Sequence, residues 1–293
     1  MQYTIEQPIT LKGVGLHSGC RVSVTLRPAP PDTGVVFRRV DLQGFRIEAH
    51  RRWVARAVLA TNLMKRGVLI STVEHLLSAL AGCGVDNVWV DIDSLELPIL
   101  DGSALPWVEA VRSAGLQRQS AERSYYVIQR EIRVEDGDRW ITLEPAPEFS
   151  VEYTIEFSHS LIGRQSLELA VTPGSYREEI AFARTFGFYA EVEDLRRKGL
   201  IRGGSLENAI VLTPEGLLGG ALRAPDEFVR HKVLDLIGDV SLAGAPVVGR
   251  IRAYRAGHAL HTRVAAVIAG GTAGVVKVRE SRLAAGTALA ASA

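Results

Sequence analysis

The sequence predicts a layered α+β fold made of two similar domains, and three observations carry that prediction. Strand-like segments come in runs instead of alternating singly with helices, which argues against a βαβ winding. Each half of the chain contains a helical stretch closed by glycine. Two short segments of the first half also return in the second, in the same order.

Along the chain, "RVSVTLRPAP" (21–30) and "NVWVDID" (87–93) alternate apolar and polar residues, the period-two pattern of half-buried strands. Between them "TVEHLLSALAG" (72–82) has helical spacing and ends on glycine. The order then repeats: "RWITLEPAPEFSVEYTIEF" (139–157) is strand-rich, "FVRHKVLDLIGDVSLAG" (228–244) is a helix closed by glycine, and "VVGRIRAY" (247–254) alternates as a last strand. In detail, "VTLRPAP" (24–30) is echoed by "ITLEPAP" (141–147), and "VEHLLSALAG" (73–82) by "VRHKVLDLIG" (229–238), with histidine third in both. A Pro-Ala-Pro can recur by chance because proline terminates strands. Two matches in one order point to an internal duplication.

Thr25 and His75 are 50 residues apart, Thr142 and His231 are 89 apart, so the second copy carries about 39 more. They fall within 180–210, and an insertion of that size usually serves a site. The predicted division is a first repeat over 1–121, a second over 125–280, and a small-residue tail over 281–293, with the polar "QRQSAERS" (117–124) as linker. "GVG" (13–15) and "GG" (203–204) read as turn glycines, because no Gly-x-Gly-x-x-Gly follows a strand at a helix start.

With 47% hydrophobic and 23% charged residues, the 293-residue chain reads as soluble and able to bury one large core or two medium ones. A net charge of +1 and a pI near 7.9 argue against a polyanion-binding surface, so no nucleic-acid partner is expected. Two cysteines, Cys20 and Cys83, form no disulfide framework and fit a reducing cytoplasm. No segment reaches the roughly 18 apolar residues of a membrane span, and the N-terminus has no export signal, so no integral membrane segment is expected. Without a heptad or an exposed apolar stripe, a monomer is expected.

Candidate chemistry concentrates on the two glycine-closed helices. His231, Asp235 and Asp239 stand four apart, so a helix places them on one face at successive turns. Unpaired buried charge is expensive. A metal site therefore explains the stripe better than a solvated i, i+4 pair, given the apolar Val233, Leu234, Leu236 and Ile237 around it. A histidine and a carboxylate supply two zinc ligands, and a catalytic zinc takes three. His75, at the equivalent position of the first repeat, is the natural third. Adjacent Glu74 would sit beside the metal as a general base for water. Taken alone, Glu74 is more simply a first-turn acid offsetting the helix dipole, with Ser71 or Thr72 as cap. His258, in "YRAGHALH", reads either as a general acid on a loop or as an exposed histidine. His261, His159, His50 and His17 have no spacing argument, Thr185 and Phe186 are uninformative in isolation, and Lys232 reads either as a contact for an anionic substrate or as a solvated lysine beside the stripe.

Taken together, the residues match a known family. "GVGLHSG" (13–19), "LRPAPPDTGVVFRR" (26–39), "STVEHLLSALAGCGVDN" (71–87), "LPILDGSALPWV" (97–108), "VEDGDRW" (134–140), "ARTFGF" (183–188), "GGS" (203–205), "DEFVRHKVLDLIGD" (226–239) and "AGHALH" (256–261) occur in order over nearly the whole chain. In these stretches the sequence closely resembles the UDP-3-O-acyl-N-acetylglucosamine deacetylases, zinc enzymes of lipid A synthesis in Gram-negative bacteria. The resemblance implies two similar α+β domains, each a small sheet packed on helices, with the active site between them. It implies one Zn(2+) per chain held by His75, His231 and Asp235, with Glu74 as general base. His258 matches the histidine that acts protonated, on the oxyanion or the leaving amine, Asp239 the carboxylate that orients it, and Thr185 a hydroxyl that helps polarise the acetamide carbonyl.

The implied substrate is an acylated UDP-sugar, and the implied products are UDP-3-O-acyl-glucosamine and acetate. By the same resemblance Lys232, Phe157 and Arg139 belong to the nucleotide end, with arginine at 139 where the family often has lysine. Val192, Leu195, Ile201, Ser205 and Val211 would line an apolar passage for the acyl chain. Two rival readings are a zinc hydrolase of another acylated sugar nucleotide and a noncatalytic zinc-stabilised lipid-binding protein. The base and acid beside the metal argue against the second, since structural zinc sites close their coordination.

Overall fold

A computed structural model describes residues 1–55, 59–271 and 273–284. Its α+β architecture rests on two sheets of one topology. The first takes Ile9–Val14, Arg21–Pro28, Val35–Arg39, Phe45–Glu48 and Val88–Ile92, and places Val88–Ile92 in the centre. That central strand runs antiparallel to Arg21–Pro28 and parallel to Val35–Arg39. The second takes Ile132–Asp136, Arg139–Glu144, Phe149–Glu156, Arg164–Ala170 and Val247–Tyr254. Here Val247–Tyr254 has the central place, antiparallel to Arg139–Glu144 and parallel to Phe149–Glu156. Ser124–Ile128 and Val275–Arg279 extend this second sheet.

The alternation read from the sequence is the alternation of burial: Val22, Val24 and Leu26 turn inward from one strand, and Val88, Val90 and Ile92 from its neighbour. The longer helices among the described residues are α1 (Glu74–Gly82), α2 (Leu105–Ala114), α3 (Tyr189–Arg197), α4 (Glu227–Ser241) and α5 (His258–Ala269). α1 and α4 form the inner layer and are buried nearly all round. Glu74 meets Gly238 while Ser78 Oγ donates to the Leu234 carbonyl at 2.7 Å, so the two helices run antiparallel. Their close approach requires a glycine: a Cβ at 238 would lie 2.1 Å from the Glu74 carbonyl oxygen.

The inserted stretch folds as a local βαβ unit. Phe186–Phe188 and Ile210–Thr213 pair in parallel, α3 makes the crossover, and Gly216–Leu217 closes a three-stranded sheet. Gly203 abuts the "GVG" segment, where a Cβ would come 2.3 Å from the Gly15 carbonyl. The GG pair therefore serves close backbone approach.

Three expectations change. The predicted linker 117–124 is tied down: Leu116–Arg118 pairs with Tyr3–Ile5, Gln119 Nε2 donates to the Ala29 carbonyl at 2.8 Å, and Arg123 pairs with Asp86 at 2.6 Å. Val247–Tyr254 is not the last strand, because Val275–Arg279 comes after α5. The predicted tail begins inside the short helix Glu280–Ala284, and its remainder, 285–293, lies outside the described residues. No described helix is long and apolar enough to cross a membrane.

At its first turn α4 is anchored by Glu227, whose fully buried carboxylate accepts Arg184 Nε at 2.9 Å, Arg184 Nη2 at 3.1 Å and the backbone N–H of Arg184 and Arg223. Burial opposes its charge, but these donors hold the Glu227 carboxyl below its ordinary 4.5. Glu227→Gln is expected to cost about 2–4 kcal/mol at pH 7, because Arg184 is left without its counter-charge. A depressed folded value contributes stability above the unfolded value and loses it as pH falls through the folded one. The gap between variant and wild type in urea melts should thus be full at pH 7 and shrink below about pH 4.

Candidate metal centre

α1 and α4 bring the predicted ligands together from opposite halves. His75 Nε2 and His231 Nε2 lie 3.8 and 3.3 Å from Asp235 Oδ1, and all three residues are buried. Their ligand atoms fall within 4.8 Å of one another. Asp235 Oδ1 is buried with no hydrogen-bond partner among the described residues, while Oδ2 accepts Lys232 Nζ at 2.9 Å. An orphaned carboxylate oxygen facing two imidazole nitrogens fits a cation. The His231 Nδ1–H donates to the Ala183 carbonyl at 3.0 Å, which leaves the Nε2 lone pair pointing inward. Burial, reinforced by His231, pushes His75 down to about 3, and burial also lowers His231, so both are neutral as ligation requires. Burial opposes the Asp235 charge, but the positive charges around it, Lys232 and protonated His258 among them, hold its carboxyl well below the usual carboxylate range.

Glu74 opens α1 and faces the same pocket, a space of about 90 Å³. Its Oε2 accepts the Thr61 backbone N–H at 3.0 Å. The expected cap is absent: Val73 holds the N-cap position without a side-chain bond, the Thr72 hydroxyl goes to Glu96 at 3.1 Å, and Ser71 Oγ donates to Asn62. Thr72 adopts φ 59°, a left-handed conformation that strains a β-branched residue by about 1–2 kcal/mol. That turn aims Glu74 at the pocket. Burial first, then the Asp239 and Asp235 carboxylates against the pull of His258, raise Glu74 to about 8. A cation among the ligands favours its charged form.

His258 is the first residue of α5, not a loop residue. Gly257 holds the extended N-cap position, and Leu260, Val264, Ala265 and Ile268 bury one face of the helix. Its Nδ1–H donates to Asp239 Oδ2 at 2.8 Å, and Nε2 lies 3.9 Å from Asp235 Oδ2. Burial opposes its charge, but Asp239 and then Asp235 overcome this and push His258 up to about 9. The imidazolium stands ready as a donor.

Known proteins resemble this chain over most of its length. A sequence model of the family described as UDP-3-O-acyl N-acetylglycosamine deacetylase matches residues 2–269. The chain is 51% identical over 268 residues to a UDP-3-O-acyl-N-acetylglucosamine deacetylase of Solibacter usitatus, covering 91% of this chain and 90% of that one. It is 49% identical to a protein of the same name from Myxococcus xanthus, over 90% of this chain and 84% of that one, and 45% identical to one from Idiomarina loihiensis, over 90% and 88%. The chain belongs to the UDP-3-O-acyl N-acetylglycosamine deacetylase family.

The remaining candidate residues of this deacetylase family member divide by position. Thr185, Phe186 and Lys232 line the pocket with the ligands. Phe157 lies behind it, its ring 5.9 Å from both Phe186 and Phe188. Arg139 is exposed and outside the pocket lining. It precedes Trp140, whose partner across the sheet is Tyr254, four residues before His258. Val192 and Leu195 on α3, with Ile201 and Val211, are half-buried apolar residues of the insertion, while Ser205 is exposed. None of these five lines the pocket.

Several residues that the sequence reading does not single out adjoin the candidate site. Thr61 Oγ1 donates to Asp239 Oδ1. His261, fully buried, donates Nδ1–H to Asp239 Oδ2 at 3.0 Å, and its Nε2 meets Tyr153 Oη at 2.9 Å. The His258-x-x-His261 spacing could have revealed it, since residues three apart share a helix face. His17 lines the pocket with both ring nitrogens buried and without a partner among the described residues. A larger cavity, about 630 Å³, opens on the opposite faces of α1 and α4 and shares no lining residue with this one. Chemistry, not volume, singles out the smaller.

Proposed function

We propose that the chain is a zinc-dependent deacetylase that hydrolyses the N-acetyl group of UDP-3-O-acyl-N-acetylglucosamine, giving UDP-3-O-acyl-glucosamine and acetate in lipid A biosynthesis. The observation that carries the reading is the orphaned Asp235 Oδ1 facing His75 Nε2 and His231 Nε2, with Glu74 beside them. Two imidazoles and one carboxylate form the three-ligand set of catalytic zinc, which when bound acidifies water and polarises a carbonyl oxygen.

This chain's own residues do the rest. Glu74, held by the Thr61 N–H, takes the proton of the attacking water. The Thr185 hydroxyl, on the pocket wall, donates to the acetamide oxygen as it gains charge. His258, kept protonated by Asp239, supplies the positive charge and the N–H that the oxyanion and the leaving amine need. Lys232, anchored on Asp235 with its ammonium 5.4 Å from the Phe186 ring centroid, would contact the nucleotide end of the substrate together with Phe157 and Arg139. The apolar side chains of Val192, Leu195, Ile201 and Val211 serve the acyl chain, with Ser205 at its edge.

Metal analysis alongside acetate release from the acylated UDP-sugar tests the reading. The expected result is about one zinc per chain and acetate release that a chelator stops and zinc restores. Zinc bound without acetate release would replace catalysis by binding. Release only from a different acylated sugar nucleotide would replace the substrate.

A further inference from the structure

Thr61 is fully buried and uses three polar groups at once. Its backbone N–H donates to Glu74 Oε2 at 3.0 Å, its hydroxyl donates to Asp239 Oδ1, and its carbonyl accepts Val73 N–H at 3.2 Å. Glu74 and Val73 belong to the first half of the chain and Asp239 to the second. The hydroxyl has a single proton, and Asp239 Oδ1 takes it. The other carboxylate oxygen, Oδ2, is already shared by His258 Nδ1 and His261 Nδ1 at 2.8 and 3.0 Å. Asp239 is therefore gripped on both oxygens, and Thr61 supplies the grip on Oδ1. His261 is in turn backed by Tyr153, whose hydroxyl also lies 2.8 Å from the Ala256 carbonyl.

We propose that Thr61 is a positioning residue that holds the base Glu74 and the Asp239–His258 pair in register across the two halves. The inference rests on the deacetylase reading. Thr61 acts through other groups and does not itself touch the reacting atoms: it lines no part of the pocket, whereas Glu74 and His258 both do. An orienting partner of this kind contributes by fixing the ring and the carboxylate that do the chemistry.

Thr61→Val and Thr61→Ser separate this role from packing. Valine keeps the shape and both backbone bonds but leaves Asp239 Oδ1 unpaired. Serine keeps the hydroxyl and loses a methyl group. The expected result is that Thr61→Val lowers kcat by about 10- to 100-fold with KM and zinc content unchanged, while Thr61→Ser stays within about threefold of wild type. A packing role predicts the reverse order, with valine tolerated and serine worse, and that outcome overturns the inference. Loss of zinc from Thr61→Val also overturns it, because Thr61 would then support the ligands. A wild-type enzyme that releases no acetate from the acylated UDP-sugar sinks the deacetylase reading itself and takes the inference with it. An active wild type with equally active Thr61→Val sinks the inference alone.

Discussion

Glu74→Gln is expected to retain zinc at the wild-type stoichiometry and to lower kcat by about 10²–10⁴-fold, the range a positioned general base contributes. The proposed ligands are His75, His231 and Asp235, and Glu74 has a different partner, accepting the Thr61 N–H at 3.0 Å. Glutamine keeps that acceptor and the volume of the side chain but cannot take a proton. Glu74→Ala should lose as much turnover and in addition some stability, about 1–3 kcal/mol, because the buried Thr61 N–H is left unsatisfied. Elemental analysis of both variants beside steady-state kinetics is the check. Joint loss of metal and activity in Glu74→Gln would make Glu74 a ligand.

The stripe His231, Asp235, Asp239 was legible because helix geometry alone puts i, i+4 and i+8 on one face. His75 was legible only through the repeat, which sets it at the same helical position as His231. The fold class was legible for the same reason, since strands in runs and two glycine-closed helices leave few layer arrangements. What the sequence hid depends on contacts far apart along the chain. Thr61 and Asp239 are separated by 178 positions, and nothing in either segment announces the other. The left-handed Thr72 is hidden differently: threonine disfavours φ 59°, so local preference points away from the conformation that aims Glu74. His258 reads as a loop residue because it follows a strand and a glycine, whereas Gly257 there is the N-cap of α5. The polar residues of 117–124 suggested a linker, yet Gln119 and Arg123 use their polarity to bind the first half.

Gly238→Ala should destabilise the protein strongly for the addition of a single methyl group. In an ordinary helix interior this change stabilises by about 0.5–1 kcal/mol, so helix propensity alone predicts a gain. Here the new Cβ would stand 2.1 Å from the Glu74 carbonyl oxygen and 3.2 Å from its Cα. Both are backbone atoms, so no side chain can swing aside and α1 must move away from α4. The expected net effect is a loss of about 2–4 kcal/mol in urea melts. Because His75 rides on α1 and His231 and Asp235 ride on α4, the same shift would pull the three proposed ligands apart. Zinc affinity should fall together with stability, and added zinc should recover part of the melting temperature by binding the folded state. Gly34→Ala is the comparison: its φ of 69° strains alanine by about 1–2 kcal/mol, but nothing lies within 4 Å of the added atom, so zinc content should not change. A Gly238→Ala protein that melts like the wild type and keeps its zinc would mean that the helices tolerate a wider spacing. The close crossing of Glu74 over Gly238 would then not be what holds the two halves of the site together.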